Sequence, residues 1–129
     1  MEFDHAGIAT DDLDALADLY AELFDATLAH EERFEDLRVA FLDLGNGYLE
    51  LLEPLPDAEG ALPRYLDREG PGIHHFAVRT GDIEVALDIA RDMDLDLIDE
   101  EPRPGAWGHD VAFLHPDSTG GVLVEFVEH

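Results

Sequence analysis

Two histidines and two glutamates occupy matching places in a chain that is written twice. His5 and His75 lie 70 residues apart, and around them Thr10 falls on Thr80, Asp12 on Asp82, Leu13 on Ile83, Asp18 on Asp88 and Leu19 on Ile89. Glu50 and Glu125 pair at an offset of 75, where Gly45 falls on Gly120, Leu49 on Val124, Leu51 on Phe126, Leu52 on Val127 and Glu53 on Glu128. Imidazole nitrogens and carboxylate oxygens are donors for divalent cations. A single strand histidine is usually a partly buried packing residue, and a single strand glutamate usually faces solvent. Four titratable residues of two ligand types at repeat-equivalent positions are a different matter. Packed about a pseudo-twofold, the two halves would bring them together, so His5, Glu50, His75 and Glu125 are the expected metal ligands.

The elements that must carry these residues follow from the pattern. Residues 2–9 (EFDHAGIA) alternate as a strand does, and Thr10-Asp11-Asp12 supplies an acidic helix start. Leu13, Leu16, Ala17, Tyr20, Leu23 and Phe24 then recur at helical spacing, which predicts an amphipathic helix over 12–24. Strands are expected at 27–34, 37–44 and 48–53, with a hairpin turn at Gly45-Asn46-Gly47. A Pro- and Gly-rich connector follows over 54–72, with a short helix at Leu62–Glu69. The second half repeats the order: strand 73–79, helix 82–92, a short strand 95–99, an irregular loop 102–108, and strands 110–115 and 121–128 around a turn at Pro116–Gly121. Two copies make a duplication, not a solenoid.

Each histidine thus sits in the first strand of its half and each glutamate in the last. Strand side chains alternate faces, so Glu50 shares a face with Tyr48 and Leu52, and Glu125 with Leu123 and Val127. Leu49, Leu51, Val124 and Phe126 take the other face. A carboxylate between apolar neighbours needs a cation, a hydrogen bond or a proton. His74 must point away from His75, and the register selects His75 as the partner of His5; His74, which aligns with Asp4, is expected to support or pack. His30, His109 and His129 have no repeat partner and are expected at the surface. His115, at a strand end before Pro116, is a candidate to line a pocket.

Composition sets the surroundings. The length of 129 residues and an apolar share of 46% fit one globular domain over 1–129, with modules at about 2–53 and 73–128. Thirty-two acidic residues face seven basic ones, for a net charge of −25, and all seven basic residues are arginine. Such a surface repels nucleic acid and anionic membranes. The acids are spread over helix faces and loops, and their mutual repulsion points to a halophilic cytoplasm, where salt screens it. There is no apolar run long enough to span a bilayer and no charged leader before the first strand, so a cytoplasmic location is expected. Cysteine is absent, which excludes disulfides and thiolate chemistry.

Several stretches together carry a family resemblance: Asp4-His5-Ala6-Gly7-Ile8-Ala9, Tyr48-Leu49-Glu50-Leu51-Leu52-Glu53-Pro54, Gly72-Ile73-His74-His75-Phe76-Ala77-Val78, Phe113-Leu114-His115-Pro116 and Gly120-Gly121-Val122-Leu123-Val124-Glu125. The chain resembles the vicinal oxygen chelate (glyoxalase-like) superfamily and, within it, the methylmalonyl-CoA epimerase family. The resemblance implies an α+β fold in which two βαβββ modules form a cup-shaped, eight-stranded incomplete barrel around a divalent metal. It implies His5, Glu50, His75 and Glu125 as ligands of Co, Mn or Mg, with Zn also accommodated. It implies a small-molecule acyl-CoA substrate and a homodimer.

The implied reaction inverts the carbon between a thioester carbonyl and a carboxylate, through an enolate stabilised by the metal. Inversion needs a base on one face and an acid on the other. Glu50 and Glu125 are the pair the repeat offers. Some relatives place a glutamate in the third strand, near Val39 here, and that position is valine; relatives also carry lysines where this chain has Asp117 and His109-Asp110. The competing reading is a glyoxalase I type lyase acting on a thiol–methylglyoxal adduct. A metal-free binding module would have lost the four ligands, and an extradiol dioxygenase would use two histidines and one glutamate.

Overall fold

The structure, a computed structural model, describes Met1–His129. Its elements are β1 (Glu2–Ala9), α1 (Leu13–Phe24), β2 (Thr27–Phe34), β3 (Leu37–Asp43), β4 (Tyr48–Pro54), α2 (Ala61–Glu69), β5 (Gly72–Arg79), α3 (Ile83–Asp92), β6 (Arg103–Pro104), β7 (Asp110–Leu114) and β8 (Val124–Glu128). The class is α+β, and the order is βαβββ in each half, as the sequence implies. The chain gathers into two compact units, Ala6–His74 and Met1–His5 with His75–His129. The opening of β1 therefore clusters with the second copy, not the first.

In the first module the strands run β2-β3-β4-β1. Asp12 caps α1 by accepting the Ala15 N–H at 3.1 Å. Leu13 is buried with Ala26, Ala40, Leu42 and Leu51, and Leu16, Ala17 and Tyr20 pack on that group. The helix thus covers the face of β3 and β4 that carries Ala40, Leu42 and Leu51. By alternation Val39, Phe41, Glu50 and Leu52 point to the opposite face. The β3–β4 hairpin pairs Phe41 with Glu50 and Val39 with Leu52. It turns at Gly45, whose φ of +96° few other residues adopt. Here the Leu44 N–H donates to the Gly47 carbonyl at 2.9 Å.

In the second module the order is β5-β8-β7-β6, with β5 and β8 parallel and β7 antiparallel to β8. Asp82 caps α3 through the Glu84 and Val85 N–H groups. Ile83 and Leu87 are buried on Ala112, with Leu97 and Phe126 packed beside them. The other face buries Ala77, Val111 and Val127 against Phe113. Glu125 lies on that second face, opposite Phe113 and Ala77 in the two ladders. No helix is long and apolar enough to cross a membrane.

The strand expected over 95–99 is reduced to a single bridge between Leu97 and Leu114. The Ile98 and Asp99 N–H groups both donate to the Phe113 carbonyl, at 3.0 and 3.2 Å. The Phe113 N–H is taken by the Asp99 carboxylate at 2.9 Å. Two donors on one carbonyl, and a side chain in place of a backbone acceptor, break the alternation a ladder requires. The edge is instead Arg103–Pro104, paired with Val111 and Asp110, within the stretch expected to be irregular. Proline is tolerated at such an edge because it lacks only an outward donor.

The duplication is legible in hydrogen bonds as well as in letters. The Thr10 N–H donates to the Leu52 carbonyl and the Thr80 N–H to the Val127 carbonyl, both at 2.9 Å. Each threonine hydroxyl accepts from the aspartate two residues on, at 3.1 Å from Asp12 and 3.2 Å from Asp82. The first helical N–H of α1, on Leu13, donates to Glu53, and that of α3, on Ile83, donates to Glu128, both at 2.8 Å.

Candidate metal centre

β1, β5 and β8 bring His5, His75 and Glu125 to one spot. Nε2 of His5 lies 3.3 Å from Nε2 of His75 and 3.4 Å from Oε2 of Glu125. Nε2 of His75 lies 3.7 Å from Oε1 of Glu125. The two rings meet edge to face, 5.4 Å apart and 86° between planes. Each histidine is 3% exposed and Glu125 5%. Phe113 closes one side, edge-on to His75 at 5.5 Å.

Two imidazole nitrogens and a carboxylate that face one another out of water repel unless a proton or a cation lies among them. Two nitrogens and a carboxylate oxygen are also a donor set that suits divalent Co, Mn or Zn. The residues therefore fit the metal that the sequence implies. Glu50, the fourth expected ligand, is buried on β4 at 7% exposure, on the face away from α1. Its ladder neighbours there are Phe41, Val39, Leu52 and Tyr48, so its charge needs compensation.

One contributor to this centre escaped the sequence reading. Asp4, only 2% exposed, places Oδ2 at 2.7 Å from Nδ1 of His5. Its Oδ1 accepts from Arg79, at 3.0 Å from Nε and 2.9 Å from Nη2, and lies 2.6 Å from Nε2 of His129. Burial pushes the Asp4 carboxyl up, but the His5 and Arg79 hydrogen bonds and the charges of His5 and His129 outweigh it. They hold the group at about 2. Asp4 aligns with His74 in the repeat, so the register carried no sign of its role. Its only signal was a charged residue beside His5, in a strand whose other acid, Glu2, lies at its exposed start.

The expectation that His109 is a surface residue is corrected, since it is half-buried, while His129 is exposed as expected yet takes part in a long-range contact. His129 binds Asp4, and the His109 ring stacks on it at 3.8 Å with 16° between planes. Trp107 also stacks on His109, at 5.5 Å. Burial, helped by His129, pushes the His109 imidazole below its ordinary value. The third such histidine, His30, is half-buried beside Phe41. His74 packs edge-on against Tyr65 at 4.8 Å, and Tyr65 donates to the Ile73 carbonyl at 2.8 Å. His115 is exposed and caps the turn at Pro116–Ser118, its Nδ1 accepting the Asp117 N–H at 3.2 Å. Val39 is buried and pairs with Glu32 in the β2–β3 ladder.

The fold and this cluster of donors define a class, and comparison with known proteins agrees. The chain belongs to the Glyoxalase/Bleomycin resistance protein/Dioxygenase superfamily, whose family model matches residues 4–113. Within that class it is similar to methylmalonyl-CoA epimerases. The mitochondrial methylmalonyl-CoA epimerase of Dictyostelium discoideum is 34% identical over 130 residues, covering 98% of this chain and 78% of that protein. The crystal structure of methylmalonyl-CoA epimerase from Mycobacterium tuberculosis superposes with a TM-score of 0.92 at 34% identity, over 98% of this chain and 87% of that one. A variant of the Streptomyces coelicolor methylmalonyl-CoA epimerase, in complex with 2-nitronate-propionyl-CoA, superposes at 0.91 and 35% identity, over 99% and 94%.

Proposed function

We propose that this protein is a methylmalonyl-CoA epimerase that interconverts the 2S and 2R forms of its substrate. The observation that carries the reading is the convergence of His5, His75 and Glu125 within 3.7 Å in a buried site, in a chain so similar to these epimerases. His5, Glu50, His75 and Glu125 are the proposed ligands. Repeat equivalence and burial support Glu50. A divalent cation held there supplies positive charge for the enolate oxygen.

The protein's own task is proton transfer on two faces of one carbon. A carboxylate removes the proton between the thioester carbonyl and the free carboxylate of the substrate. The electron pair moves onto the thioester oxygen. A carboxylic acid on the opposite face then returns a proton to carbon, and the configuration is inverted. Glu50 and Glu125 are the proposed pair. Both are buried, which keeps water away from the proton they would exchange. We further propose that the chain acts as one domain, in a homodimer, in the cytoplasm, on an acyl-CoA of short malonyl type.

The test is epimerisation of (2S)-methylmalonyl-CoA in molar salt, before and after chelation, with cobalt added back. Activity that disappears with chelator and returns with cobalt is expected. Cobalt binding without epimerisation would refute the substrate assignment and direct the assay to a thiol–methylglyoxal adduct. Glu50→Gln should bind substrate yet lose epimerisation; full activity in that variant would remove Glu50 from the proton-transfer pair.

A further inference from the structure

We propose that Asp4 is a positioning residue for His5, and that Arg79 and His129 hold Asp4 in place for that task. The inference rests on the reading of His5 as a metal ligand. Neighbouring residues on a strand point to opposite faces, yet the Asp4 carboxylate reaches back to Nδ1 of His5 at 2.7 Å. A carboxylate is an acceptor only. The contact therefore fixes the His5 proton on Nδ1 and leaves the lone pair on Nε2. Nε2 is the atom that points toward His75 and Glu125. A ligating imidazole whose other nitrogen donates to a carboxylate is oriented in its ring plane and is a better donor.

Asp4 could not do this alone. A single carboxylate at 2% exposure is costly unless both its oxygens are served. Arg79, at the end of β5, reaches Oδ1 with Nε and Nη2. His129 reaches the same oxygen at 2.6 Å, and its ring stacks on His109, which stacks in turn on Trp107. A chain of contacts thus runs from the loop at 106–109, through the residue after β8, to the first strand. None of these supports has a repeat counterpart: Asp4 aligns with His74 and Arg79 with Ala9. The second module supplies the arginine, the imidazole and the stacked rings that orient a ligand on β1.

The experiment uses the whole chain in molar salt with three variants, Asp4→Asn, His129→Ala and His129→Gln. Two quantities are read without substrate: the affinity for cobalt(II), and the tautomer of His5 in the metal-free protein by long-range ¹⁵N–¹H NMR. The wild type should hold His5 as the Nδ1–H tautomer. Asp4→Asn should mix the tautomers and weaken cobalt binding by about tenfold or more, the usual cost of losing an outer-shell partner. His129→Ala should weaken binding severalfold. His129→Gln keeps an N–H donor for Asp4 and should restore most of the loss. The double variant Asp4→Asn/His129→Ala should bind no more weakly than Asp4→Asn alone, because both act through one contact.

His129→Ala leaves the strand cores intact, so the measurement survives even if Asp4→Asn fails to fold. Cobalt affinities within twofold of wild type in the variants, or a wild-type His5 protonated on Nε2, would overturn the inference. A wild-type protein that binds no cobalt overturns the metal reading and the inference with it. Normal cobalt binding and tautomer without epimerisation would overturn only the proposed reaction.

Discussion

Glu128 offers a direct measure of how the duplicated scaffold holds its helices. The first turn of a helix has backbone N–H groups with no partner inside the helix. In α3 the Asp82 cap takes those of Glu84 and Val85, while Ile83, the first helical residue, donates to Glu128 at 2.8 Å. Ile83 is 3% exposed, so water is a poor substitute acceptor once the carboxylate is gone. A hydrogen bond to a charged group contributes about 1.5–3 kcal/mol, and the helix N-terminus adds about 0.3–1 kcal/mol for a negative charge. Glu128 is half-buried, so Glu128→Ala should cost about 2 kcal/mol. With an unfolding entropy of roughly 2.1 cal/mol/K per residue over 129 residues, that loss lowers Tm by about 7 °C. Glu128→Gln keeps an acceptor oxygen but not the charge and should lose about half as much. Glu53→Ala should lose somewhat more, because Glu53 also faces Arg38 at 3.7 Å, an ion pair contributing about 0.2–1 kcal/mol. Calorimetry in molar potassium chloride reads all three. If Glu128→Ala melts within about 2 °C of wild type, the carboxylate does not anchor the helix and the hydrogen-bond argument fails.

Other consequences are open to equally simple measurement. A Cβ added at Gly105 would lie 2.7 Å from Cγ1 of Val111, so Gly105→Ala should cost about 1–3 kcal/mol by overpacking, and adding Val111→Ala should recover part of it; equal melting temperatures for Gly105→Ala and wild type would refute the clash. The net charge of −25 predicts a melting temperature that rises by several degrees as the Debye length falls from about 10 Å at 0.1 M salt to about 3 Å at 1 M; a flat or falling curve would show that the acids are already compensated. The same charge repels an anionic CoA ester, so KM should fall as salt rises. A KM that climbs with salt would reveal a basic phosphate site instead.

The repeat made much of this fold readable because both copies obey the same local rules. Asp12 and Asp82 announce helix starts, and the alternating apolar strands predict β1, β4, β5 and β8 to within three residues at either end. The register named His5, Glu50, His75 and Glu125, and the donor atoms of His5, His75 and Glu125 lie within 3.7 Å of one another. What stayed hidden were the arrangements that have no second copy. The bridge at Leu97 depends on Asp99 replacing a backbone acceptor, which periodicity cannot report. His109 and His129 lie far along the chain from Asp4, and only the folded second unit stacks them and aims Nε2 at its carboxylate. Long-range polar contacts of this kind leave no local pattern to read.

That division has a functional side. The duplication is kept where it builds the skeleton: the threonine turns, the Glu53 and Glu128 anchors, and the placement of His5 and His75. It is broken around the imidazoles. His5 has the buried Asp4 carboxylate on Nδ1, whereas the residue aligned with Asp4 is His74, which packs edge-on against Tyr65. A fully symmetric site would hold an unsymmetrical ligand in two orientations with equal ease. The duplication supplies the common skeleton, and Asp4, Arg79 and His129, which have no repeat counterparts, make the surroundings of His5 its own.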